Sequence, residues 1–103
     1  MISMRDINIF EKMIGPLTVG KLLKAYRTAN ALTTAEVEQR LSLSKGTILK
    51  LESGKIKLSL KETVKMARKL EEADDLYALA WLKAEALDAG VDPERIFRSP
   101  GDT

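Results

Sequence analysis

The stretch LSLSKGTILKLESGK, residues 41–55, sets small polar and cationic residues side by side in a pattern suited to holding an anion. Lys45, Gly46 and Thr47 are consecutive, and Lys50 and Lys55 follow at intervals of five. A lysine ammonium can donate to guanine O6 and N7, and a threonine can reach a base or a thymine methyl. Leu49 stands among them. Gly46 falls in the first turn of an expected helix, where glycine costs about 1 kcal/mol relative to alanine. Either a bulky anion approaches closely there, or the glycine only avoids a clash with the preceding helix. Free N–H groups and the dipole at such a helix start also favour a phosphate. This is chemistry of binding rather than of catalysis. The chain has no histidine and no cysteine, which removes the commonest general base, the commonest metal ligand and any thiolate site. With no glycine-rich phosphate loop either, no enzyme activity, metal or cofactor is expected.

The charge is sorted along the chain to match. Residues 17–70 hold twelve basic and four acidic residues, a net of +8, whereas residues 71–103 hold three basic and nine acidic residues, a net of −6. Such a chain meets a polyanion with its middle part only. At 103 residues and 45% apolar content it is one modest domain able to bury a core. The start, MISMRDINIF, carries Asp6 and no long apolar core, so a secretory signal is not expected. The longest apolar run, LYALAWL at 76–82, is too short to span a membrane. A cytoplasmic, nucleoid-associated location is the expectation.

The elements that must position these residues read as helices throughout. Ile7, Phe10, Met13 and Ile14 recur at helical spacing before Gly15-Pro16 breaks the run. A second helix starts near Thr18 and turns Leu22, Leu23 and Tyr26 inward. Thr33 with Glu36, and Ser59 with Glu62, form capping boxes. Ser44 is expected to cap a helix over 44–52, and Asp74 to cap the last long helix, which ends at Gly90. IKLSL, the one strand candidate, reads as a loop leading into a cap. Helices 33–41 and 44–52 are separated by two or three residues, and Val37, Leu41, Ile48 and Leu51 give each an apolar stripe. That pair reads as a helix-turn-helix.

From Val19 to Leu70 the sequence resembles the lambda-repressor-like DNA-binding domain of the Cro and XRE regulators. The most specific portion is LSKGTILKLESGK, with Ser44, Ile48, Glu52, Gly54 and Lys55 at the family's positions. The resemblance implies an all-α, five-helix domain, here with a short N-terminal helix and an extended C-terminal helix. Its parts would be an N-terminal extension (1–16), the helix-turn-helix domain (17–72), a C-terminal helix for dimer or partner contact (73–90) and a tail (91–103). It also implies that helix 44–52 enters the major groove of double-stranded DNA. Lys45, Gly46, Thr47, Leu49 and Lys50 would face bases, and Thr34, Ser44, Ser53, Lys55, Lys57 and Ser59 the phosphate backbone. Arg27 and Glu52 would form an internal ion pair.

The sequence departs from the family at Thr34, usually glutamine, at Ser42, usually glycine, and at Glu38, usually a small residue at the helix crossing. Glu38 is therefore expected to turn outward, toward Lys50, Arg40 or solvent. LYALAWL is apolar on all sides, more than one domain contact needs. Tyr77 and Trp81, four apart, with Leu82, would offer a homodimer or partner surface, joined by Phe10 and Ile14. Alternatively, the N-terminal helix covers them within the chain. Three functions fit: a dimeric transcriptional repressor, an antitoxin of a type II toxin–antitoxin module that binds a toxin and represses its own operon, or a degenerate motif used only for protein contact.

Overall fold

A computed structural model describes residues 16–97. The expectations placed on Phe10, Ile14 and a helix over residues 7–14 lie outside the described residues. The fold is all-α, as expected, with α1 at Val19–Ala29, α2 at Thr34–Leu41, α3 at Thr47–Ser53, α4 at Leu60–Lys69, α5 at Asp74–Asp88 and the single turn α6 at Pro93–Ile96.

Local chemistry starts most of these helices. Thr18 caps α1 by accepting from the Lys21 N–H at 3.1 Å. Both capping boxes form: the Thr33 hydroxyl accepts from Glu36 N while Glu36 accepts from Thr33 N, and Ser59 and Glu62 do the same for α4. These bonds to the charged form hold the Glu36 and Glu62 carboxyls below the usual carboxylate range. Asp74 does not cap α5, contrary to expectation. Ala73 occupies that position without a side-chain bond, and Asp74 instead accepts from Arg68 Nε at 2.9 Å.

The short connections share one closure. Ala31, Ser42, Gly54, Glu71 and Gly90 take left-handed backbone after α1 to α5 in turn. The next N–H reaches back over the helix end each time, as Leu43 N does to Glu38 O at 2.8 Å. Three of the five lack glycine, at a cost of about 1 kcal/mol each. Ser42 is one of them, so the turn keeps the expected geometry without the expected residue.

One core joins all five longer helices. Leu23, Tyr26, Val37, Leu41, Ile48, Leu51, Met66, Ala67, Leu70 and Tyr77 bury one another. Leu17 and Ala80, flanked by Leu76 and Leu79, form a smaller cluster beside it. The stripe α5 turns inward is Tyr77, Ala80, Lys83 and Ala86, which corrects the expectation for Tyr77. It is 1% exposed, in the core, and cannot share an open face with Trp81. Among the described residues its buried hydroxyl has no hydrogen-bond partner, and burial drives its pKa well above the ordinary tyrosine value. Tyr77→Phe removes a polar group that gains nothing from folding, so stability should rise by about 1 kcal/mol. Urea unfolding of the two proteins side by side measures this.

Candidate nucleic-acid interface

The second helix of the motif, α3, is shorter than the sequence suggests, and it begins differently. Thr47 is the first residue of α3, and Gly46 is its N-cap, with φ 87°. Ser44 lies outside the helix. Its carbonyl accepts from Thr47 N at 3.1 Å, but its side chain caps nothing. Gly46 has open space where a Cβ would stand. It therefore does not avoid a clash with the preceding helix; its left-handed φ is what favours glycine there.

With no side chain available at the cap, the free amides of α3 need another acceptor. Glu38 supplies it. Its Oε2 accepts from Ile48 N–H at 3.0 Å across the helix crossing, and the residue is only 5% exposed. The expectation that Glu38 turns outward is thus wrong. A carboxylate on α2 occupies the anion position at the start of α3, where its charge also suits the helix dipole. The Ile48 amide is therefore already occupied and is not open to a phosphate. Glu38 and the side-chain-free cap residue Gly46 form one device.

The other end of α3 is fixed against α1. Arg27 Nε and Nη2 donate to the two Glu52 carboxylate oxygens at 2.8 and 3.0 Å, the expected ion pair. Arg27 also donates to Leu32 O at 3.4 Å. The Glu52 bond raises the Arg27 pKa further above its ordinary value. Gly20, in the first turn of α1, lies so close that a Cβ there would stand 2.6 Å from Leu51 O and 2.9 Å from Glu52 O. Gly20 is not among the residues expected to matter, although a glycine in the first turn of a helix carries the same propensity cost as the one noted for Gly46.

So clamped, α3 buries Ile48 and Leu51 and leaves Lys45, Leu49 and Lys50 exposed, with Gly46 and Thr47 half-buried. Thr34 is half-buried at the start of α2, and Ser44, Ser53, Lys55 and Ser59 are exposed. Ser53 Oγ donates to Lys50 O at 3.2 Å, and the Ser59 hydroxyl serves as a cap. Lys57 faces elsewhere. It pairs with Glu85 and sits 4.8 Å from the Trp81 ring centre. Trp81 is half-buried and donates from Nε1 to Leu58 O at 2.7 Å, so its polar edge is satisfied within the chain. Leu82 remains exposed. Among the described residues no group of histidine, cysteine, aspartate or glutamate could hold a metal ion, and no helix is long and apolar enough to cross a membrane.

The model of the helix-turn-helix domain family matches residues 18–80, from the cap of α1 into α5. The chain belongs to that family. No curated protein and no solved structure matches the chain. Helix-turn-helix proteins place the second helix of the motif in the DNA major groove. The corresponding helix in this helix-turn-helix domain is α3. At that general level the chain is a DNA-binding regulator.

Proposed function

We propose that this helix-turn-helix domain is a sequence-specific transcriptional repressor of the Cro and XRE type, without enzyme activity or cofactor, acting in the cytoplasm on the nucleoid. The observation that carries this reading is the two-sidedness of α3. Its inner side is fixed by Glu38, Gly20 and the Arg27–Glu52 pair, while its outer side presents Lys45, Thr47, Leu49 and Lys50. A rigidly held helix with exposed donors suits direct readout of base edges. Thr34, Ser44, Ser53, Lys55 and Ser59 flank it as backbone contacts. Lys57 is better assigned to Trp81 and Glu85. One such helix reads few base pairs, so a homodimer on two half-sites follows. Trp81 and Leu82 remain the contact proposed for it.

A second reading, an antitoxin that binds its toxin through the C-terminal part, is favoured by one observation. Leu82, Leu87, Val91 and Ile96 are exposed within the acidic third of the chain. A small basic protein co-purifying with the chain would support it.

Fluorescence anisotropy on duplexes from upstream of its own gene and on scrambled duplexes, across a salt series, tests the main proposal. Lys50→Ala should lose about tenfold in preference for the specific duplex. Lys55→Ala should weaken both duplexes alike and reduce the salt slope by about one. If both variants lose specific and nonspecific affinity equally, α3 is not the reading helix. If no duplex binds in a salt-dependent way, the motif serves protein contact only.

A further inference from the structure

Leu49 is the most exposed large apolar residue among those described, at 62%. It stands on the outer side of α3 between exposed cations, Lys45 before it and Lys50 after it. The position three residues earlier is Gly46, and the space a side chain there would fill is empty. A helical side chain leans over the turn that precedes it. Leu49 therefore has no side chain at position 46 to pack against. Residues four apart share a helix face, and at that distance Leu49 has exposed Ser53. A single leucine ringed by lysine, glycine and serine does not suit the apolar centre of a protein interface, where lysine and serine are depleted. It does suit an anionic surface bearing an isolated apolar group. The DNA major groove has one such group, the C5-methyl of thymine.

We infer that Leu49 reads a pyrimidine C5-methyl group, so that each half-site of the target DNA carries a thymine at the base pair facing Leu49. The inference rests on the proposal that α3 is the recognition helix. The lysines supply attraction and contacts to guanine, and Leu49 supplies discrimination by apolar contact. The contact reads only the methyl, so 5-methylcytosine presents the same feature and is preferred to cytosine at that position.

The test begins with duplexes selected by the full chain from a random-sequence pool. Each thymine of a selected duplex is then replaced singly by deoxyuridine, which removes only the methyl. The wild type should lose about fourfold in affinity at one thymine per half-site, the weight of one buried methyl group. Leu49→Ala, a substitution at an exposed site, should bind the thymine and deoxyuridine duplexes alike. With a cytosine at that position, methylating it should strengthen wild-type binding about fourfold. Deoxyuridine without effect at every thymine, or an effect that persists in Leu49→Ala, overturns the inference while leaving α3 as the reading helix. A pool in which no sequence is enriched overturns the proposed function and this inference with it.

Discussion

Gly20→Ala is expected to lower the unfolding free energy by about 2 kcal/mol and to weaken specific DNA binding. On an open helix the same change stabilises by about 1 kcal/mol, because alanine is the better helix former. The sign reverses here because the added methyl would lie 2.6 Å from Leu51 O and 2.9 Å from Glu52 O. Both are backbone atoms of α3, so no side chain can rotate away. Either α1 or α3 must move, and overpacking of this kind costs about 3 kcal/mol. The displacement falls at the Arg27–Glu52 bond, whose fork geometry tolerates little change. A useful control is Ala25→Gly on the exposed side of the same helix, which should cost about 1 kcal/mol through propensity alone. Chemical denaturation of the three proteins compares these values. A Gly20→Ala protein as stable as the wild type would mean that α1 and α3 are not in close backbone contact.

Glu38→Ala should also cost about 2 kcal/mol. It removes the acceptor for Ile48 N–H and leaves that amide buried and unsatisfied at the start of α3. Gly46 cannot compensate, since it has no side chain. Glu38→Gln keeps a carbonyl oxygen of similar reach and should recover most of the loss. DNA affinity should follow the same order, because a frayed first turn releases Thr47 and Leu49 from fixed positions. Equal stability of Glu38→Ala and wild type would show that the carboxylate contributes nothing as a cap. Equal loss in the alanine and glutamine variants would show that its charge, not its hydrogen bond, matters at the helix start.

Much of the fold was legible in the sequence where its cause is local, although the caps expected of Ser44 and Asp74 do not form. Thr33 with Glu36 and Ser59 with Glu62 are three residues apart, and each pair closes its box without help from the rest of the chain. The apolar stripes of α2 and α3 likewise announce their burial. Glu38 was misread because its partner, Ile48 N, lies ten residues away and meets it only through the helix crossing. Composition marked Gly46 as unusual, but the reason is backbone φ, which the residue type alone does not separate from close approach. Tyr77 and Trp81 were indistinguishable within a segment apolar on all sides. The packing of α5 on the core chose Tyr77 for the interior. Arg27 with Glu52 was legible through the family resemblance, not through spacing.

The most direct measurement is amide chemical-shift mapping by NMR of the full chain titrated with a specific duplex. The largest changes are expected at residues 44–50 and at Ser53 and Lys55, with small changes over α5 beyond any dimer contact. Perturbation centred on Leu82, Leu87 and Val91, with the α3 amides unmoved, would contradict the assignment of α3 as the reading helix.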